Sequence, residues 1–269
     1  MRSLRFFVPA LAALTLGACS KDSTPTDDEA TAVMLGAVQE SSSTGDSASL
    51  GALAFPTSDG KADDSSGGGT AKTAEERLAQ LQEYVKANLK CVTVGPAVGK
   101  VNLTFGQSCT WSGRKWTGTV TITYTKVNEA LIEFEGLSVN GKATMSGSWT
   151  VTQLAVGHIT VKGGRTAVWG TTTVTGSIDA EYQWTDTTIT VINATHTRTV
   201  AGATATLQTT SLVWQKADIA PESGSITFTS KAGKTWTVSF SRDAATGDIL
   251  ATLTGPGGKT VTKDVNELI

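Results

Sequence analysis

This 269-residue chain predicts an all-β fold: a large antiparallel meander preceded by one amphipathic α-helix. Three observations carry that expectation. From Cys91 onward, apolar residues alternate with threonine at a period of two. Glycine-bearing turn signals separate the alternating runs. No second helical pattern is long enough to join parallel strands. The runs number about ten to twelve, arranged as an open curved sheet, a sandwich or a partly closed barrel.

The elements follow in order. Residues 1–18 read as an export signal, with Arg2 and Arg5 at the start and an apolar run from Phe6 to Leu16 too short to span a bilayer. The ending Leu16-Gly17-Ala18-Cys19 resembles the lipobox of bacterial lipoproteins. That resemblance implies cleavage before Cys19, acylation of its thiol and anchoring by lipid chains, more than one of which is needed for stable binding. Ser20, rather than Asp, then implies sorting to the outer membrane. No later stretch approaches eighteen apolar residues, so a transmembrane helix is not expected.

Residues 19–72 read as the lipidated cysteine and a disordered tether. Positions 20–72 hold nine acids and three bases, are rich in Ser, Thr, Asp, Ala and Gly, and end in Ser65-Ser66-Gly67-Gly68-Gly69. Such a composition buries too little to offset its ordering entropy, and as a coil it would span about 40 Å. Two apolar islands interrupt it, Val33-Met34-Leu35 and Leu50 to Phe55.

Residues 73–90 predict the helix. Thr73 and Glu76 have capping-box spacing, Leu78, Leu81, Val85 and Leu89 share one face, and Lys86 and Lys90 suit the C-terminal dipole. The leucine stripe should lie on the sheet.

Residues 91–269 predict the β domain. Trp116, Gly118, Val120, Ile122 and Tyr124 alternate with Thr117, Thr119, Thr121, Thr123 and Thr125, which gives one buried and one threonine-covered face. Met145, Gly147, Trp149 and Val151 repeat the pattern, as do Trp236, Val238 and Phe240. Asn140-Gly141 suits a type I′ turn, and Gly163-Gly164 suggests a similar loop. Lys231 to Gly233, Ala244 to Gly247 and Gly255 to Gly258 suggest further hairpins.

With Cys19 assigned to lipid, Cys91 and Cys109 remain as an even pair, which in an oxidising compartment reads as a disulfide; two buried free thiols are the alternative. Around them, Cys91-Val92-Thr93-Val94, Val101 to Cys109, Gly113-Arg114-Lys115, Gly118-Thr119-Val120 and the later Val139-Asn140-Gly141 are similar to a group of uncharacterised β-rich bacterial lipoproteins common in Bacteroidetes. That group has Thr-rich strands and a hydrophobic-Asp-Phe-Gly-x-Gly-Cys turn. Here Thr104 stands in place of the Asp and Ser108 in place of the second Gly. The likeness covers roughly residues 91–155. It implies the fold, the anchor and the disulfide, and implies no activity.

Candidate chemistry is sparse. His158 and His196 are the two imidazoles, and their threonine-rich strand settings place each toward solvent or a cross-strand neighbour. Ser112 and Lys115 have Ser-x-x-Lys spacing but fall in a hairpin turn, and no Gly-x-Ser-x-Gly elbow occurs. The Asp243 to Asp248 stretch lacks the ligand pattern of a calcium loop. Glu129, Glu133 and Glu135 read as a charged strand face. Of seven tryptophans, Trp116, Trp149 and Trp236 share core parity, while Trp111, in the turn after Cys109, is the candidate exposed binding aromatic. No catalytic residue, metal ligand set or cofactor is expected, and no basic stripe suggests nucleic acid.

The expectation is a non-enzymatic, lipid-anchored outer-membrane lipoprotein, at the periplasmic face or the cell surface. It would display its β domain for a structural, adhesive or partner-binding role toward a protein, glycan or lipid. A second reading is a lipid or small-ligand carrier resembling outer-membrane lipoprotein receptors, which requires a deep apolar cavity. A third is a cryptic enzyme or inhibitor. A transmembrane barrel is disfavoured by 39% hydrophobic content and the ending Leu268-Ile269.

Overall fold

A computed structural model describes residues 27–56, 71–95, 97–141, 143–169, 172–185, 187–200, 203–215, 218, 220–230 and 233–268. Cys19 and the residues read as an export signal lie outside them.

The architecture is all-β, as the sequence predicts, with thirteen strands in one antiparallel sheet whose spatial order is the chain order. The strands are β1 (Val92–Gly95), β2 (Val101–Trp111), β3 (Arg114–Lys126), β4 (Glu129–Val139), β5 (Thr144–Ala155), β6 (His158–Trp169) and β7 (Thr172–Trp184). They continue as β8 (Thr188–Val200), β9 (Ala203–Gln215), β10 (Ser223–Ser230), β11 (Thr235–Arg242), β12 (Ile249–Thr254) and β13 (Thr260–Asp264). Each pairs with the next through a hairpin. The two edges, β1 and β13, are among the shortest strands, which limits the unpaired backbone they present.

Three helices accompany the sheet: α1 (Asp27–Ala54), α2 (Ala74–Asn88) and α3 (Val265–Leu268). The α2 helix realises the capping box. Thr73 Oγ1 accepts from the Glu76 N–H at 3.2 Å, and the Glu76 carboxylate reaches back to the Lys72 N–H. Leu81, Val85 and Leu89 are buried as expected, and Leu78 is half-buried. Arg77, on the same side, is buried with its guanidinium 5.7 Å from the Phe55 ring centroid.

The α1 helix overturns an expectation. Positions 27–54 lie within the segment read as tether, yet they form a 28-residue helix, about 42 Å long at 1.5 Å per residue. It has contacts with β4, β6 and β12 and hydrogen bonds or ion pairs to β3, β7 and β8. A sheet can touch one helix with strands as far apart as β3 and β12 only by curling around it.

Because α1 is enclosed, it is buried on nearly every side: Met34, Ala37, Ser41, Thr44, Ser47, Leu50 and Leu53 point around most of its circumference at 100° per residue, and all are at most 1 % exposed. A helix wrapped all round carries no apolar stripe. Its hydroxyls are satisfied by its own backbone. Ser41 donates to the Val38 carbonyl, Thr44 to Glu40, Ser47 to Thr44 and Ser49 to Gly45.

Small residues set how closely the sheet approaches. A Cβ on Gly51 would sit 2.3 Å from Ile159 Cδ1, and one on Gly45 2.7 Å from Arg114 Nη2. Bulges supply the curl. The β3–β4 register shifts beside Gly118, whose φ is 108° and whose Cβ would strike the Gly136 carbonyl. At the far end, Gly224 lies in the same relation to Ser211 between β9 and β10.

Asn140 and Gly141 both have positive φ, 54° and 67°, which fits the expected hairpin turn. Gly163-Gly164 is not a loop. Both glycines lie inside β6, with Gly163 paired to Trp149, and the bare backbone makes room for the indole: a Cβ there would be 2.9 Å from Trp149 Cδ1.

Cys91 and Cys109 form the expected disulfide, with Cα atoms 5.1 Å apart, tying the end of α2 to β2. Replacing both by serine should cost roughly 3 kcal/mol in urea unfolding, the loop-closure contribution for such a separation. Gly51→Val should cost about 1–3 kcal/mol by overpacking against Ile159 and Val161, measured as a lower urea midpoint with unchanged slope.

Candidate functional site

Three inward-facing side chains break the apolar pattern on β6 and β8: Arg165, His196 and Arg198. On β6, Arg165 shares parity with the buried Ile159, Val161 and Ala167; on β8, His196 and Arg198 follow the buried Ala194. Charged residues at core positions require partners. Theirs is on α1. Glu40, 4 % exposed, receives His196 Nδ1 at 3.2 Å, Arg165 Nη2 at 3.4 Å and Arg198 Nη1 at 3.8 Å.

Burial alone would push the Glu40 carboxyl up. The hydrogen bond from His196 and the charges of Arg165, His196 and Arg198 outweigh it and hold the group well below the usual carboxylate range. Burial lowers the Arg198 guanidinium from its ordinary value, against the raising effect of Glu40.

The other His196 nitrogen, Nε2, lies 3.4 Å from Thr44 Oγ1. Together Thr44, His196 and Glu40 trace the outline of a hydroxyl–imidazole–carboxylate relay. Hydrogen accounting argues against that use. The single Thr44 proton goes to the Glu40 carbonyl at 2.8 Å, so Thr44 can only accept from the ring. The Glu40 carboxylate can only accept as well. With its proton committed to the Glu40 carbonyl, the Thr44 hydroxyl has none to hand to the ring, so the three groups do not form a nucleophile–base pair in this arrangement.

Two further pairs seat the helix. Asp46 meets Arg114 of β3 at 2.6 Å, both buried. The Ser47 hydroxyl lies 2.6 Å from the Tyr182 hydroxyl of β7, whose proton is held more tightly than usual because the ring is buried. At the helix end, Tyr124 donates to the Ala54 carbonyl.

His196 therefore departs from its expected position. It faces the core, because β8 gains a residue against β7 near Asn193 and Val191 and the threonines around it take the outer face. His158 does meet a neighbour across strands, Glu181, at 2.7 Å. Trp111 is half-buried rather than displayed: its ring packs on Trp116, 5.6 Å between centroids, and its carbonyl accepts from the Trp116 indole. Ser112 and Gly113 form the β2–β3 turn, with φ of 51° and 72°.

The convex face is a field of hydroxyls. Thr121 donates to Asn102, Ser177 meets Thr197 at 2.7 Å, Thr199 meets Thr204 at 2.8 Å and Thr252 meets Thr262 at 2.9 Å, each across neighbouring strands. Glu133 and Glu135 lie in the same outward rows, opposite Thr121 and Thr119. Among the described residues no group of three metal-binding side chains occurs, and no helix is long and apolar enough to cross a membrane.

Glu40→Gln should cost about 3–5 kcal/mol, since it leaves two arginines facing an uncharged amide in the interior. The Glu40 carboxyl is depressed on folding, so its contribution is present above its ordinary value of 4.5 and is lost as pH falls below it. Wild-type stability should therefore drop with acid below that point. The variant's stability should fall less steeply there, as followed by urea midpoints across pH.

No family model, curated protein or solved structure matches the chain, so its role has to be read from these residues.

Proposed function

We propose that this is an exported, lipid-anchored lipoprotein of the outer membrane that displays a filled β domain for structural, adhesive or partner-binding work on its convex face. The observation that carries the reading is the seating of α1. The helix occupies the concave side, where a carrier would hold its ligand, and Glu40, Asp46 and Ser47 on it are engaged by strand partners. What is left for a partner is the outer surface, rich in threonine hydroxyls and suited to a polar, hydrated ligand such as a glycan or a protein surface.

The signal-like residues before Cys19 support the anchor. With α1 described from Asp27, seven residues lie between it and Cys19, so the eight Cα–Cα steps reach at most about 29 Å. The domain would stand close to the bilayer rather than on a long stalk.

In the native host, radiolabelled palmitate should enter the wild-type protein, and Cys19→Ser should abolish labelling and shift the protein from membrane to soluble fractions or leave it as precursor. A wild type that takes up no label would end the anchored reading. Purified protein should show no saturable binding of a fluorescent fatty acid; saturable binding would favour the carrier reading.

A further inference from the structure

The direction of α1 inside the sheet decides which end of the domain faces the anchor. In an antiparallel meander successive connections alternate between two ends. Those after even-numbered strands lie at the first end, those after odd-numbered strands at the second. Three strands report the same direction for the helix. On β3, Asp46 meets Arg114 beside the first end, and the Ala54 carbonyl accepts from Tyr124 near the second. On β6, Glu40 and Ser43 meet Arg165, whereas a Cβ on Gly51 would strike Ile159, closer to the second end. On β8, Glu40 meets Arg198 and Thr44 meets His196, so the earlier helix residue again lies nearer the first end.

From this course we propose that the domain stands end-on against the bilayer that holds its anchor, with the first end toward the lipid headgroups and the second turned outward; this rests on the anchored reading.

Length is the first argument. Asp27 lies thirteen residues before Glu40, about 20 Å further toward the first end. Arg165 and Arg198 are four and two residues from the ends of β6 and β8, at most about 13 Å from the turns. The start of α1 therefore reaches the level of the first end there. The helix is about 42 Å long and finishes beside Tyr124, near the second end. The chain from Asp27 to Cys19 spans at most about 29 Å. To set the second end on the bilayer it would have to run back along the whole domain, and it is about 10 Å too short.

Charge is the second. Among the described residues, the connections of the first end carry Lys234 and Lys259 and no acid, and exposed Lys115 stands beside the β2–β3 turn. Those of the second end carry Lys100 against Asp218, Glu222, Asp243 and Asp248. Asp27, Asp28 and Glu29, which open α1, balance the lysines of the first end, and Arg242 offsets one acid of the second. A neutral end and an acidic end remain. An anionic headgroup surface repels the acidic one, which leaves it as the end a partner meets first.

The test couples the chain from Cys19 onward, through the Cys19 thiol, to a maleimide lipid in vesicles of phosphatidylethanolamine and phosphatidylglycerol. Cys19 is the one cysteine outside the disulfide. The same chain capped with N-ethylmaleimide stays in solution, and brief acetylation followed by mass spectrometry compares each lysine in the two forms. Lys115 and Lys259 should lose reactivity severalfold on tethering, since the surface acts over only about 10 Å. Lys162, exposed on the convex face, and Lys100 and Lys126 at the second end should keep theirs. Equal loss at Lys162 would mean that the domain lies on its side, and loss at Lys100 and Lys126 that it is inverted. Either result overturns the proposal, as does no loss anywhere. The maleimide link stands in for acylation, so a protein that takes up no palmitate and a wrong pattern of protection are separate failures.

Discussion

A sheet of thirteen strands that curls on itself encloses more space than its own side chains can fill. Eight strands already bring the interior of a barrel to the limit of side-chain packing. Here the excess is taken up by α1, and most other features answer to that one need. The helix must be narrow, so it is built from Ala, Ser, Thr and Gly, with Gly45 and Gly51 where Arg114 and Ile159 press closest. Its serines, threonines and glycines are mediocre helix formers, and the surrounding sheet does much to hold it.

A narrow helix of small polar residues cannot be held by hydrophobic contact alone. Its register is fixed at discrete points: Glu40 among Arg165, His196 and Arg198, Asp46 on Arg114, Ser47 on Tyr182 and Ala54 under Tyr124. A slip by one residue would rotate Glu40 by about 100° away from its cations. Burying these charges costs energy that apolar packing would not. What it secures is a single seating along an otherwise featureless rod, the role for which buried polar contacts are best attested.

The strands were legible because threonine alternating with apolar residues has a period of two whatever the tertiary context, and α2 because Thr73, Glu76 and the leucines write a one-sided helix. The α1 helix was not legible for the physical reason that makes it useful. Enclosed all round, it has no stripe, its strong formers are interrupted by serine, threonine and glycine, and Ser41-Ser42-Ser43-Thr44-Gly45 reads as linker. A signal was nonetheless present in Arg165, His196 and Arg198 at core parity on their strands. Buried charges imply an opposite charge elsewhere, and Glu40 and Asp46 stand almost alone between Ala30 and Phe55. Gly163-Gly164 misled because a glycine that accommodates Trp149 in mid-strand looks like one that turns a corner. His196 hid among threonines because a bulge in β8 changed which face it occupies.

The contact between α1 and β12 also orders events in time. The helix is the first described element to leave the ribosome, while one wall of its enclosure is made by residues 249–254, far along the chain. Until those strands arrive, the segment has no surroundings that favour a helix. It must wait as uncommitted chain, a state its serines, glycines and acids suit well. Sheath and filling are then completed together, late and over long sequence distances, which is the slow class of folding. A domain of this design would gain from an escort during folding, and from an early segment polar enough not to aggregate while it waits.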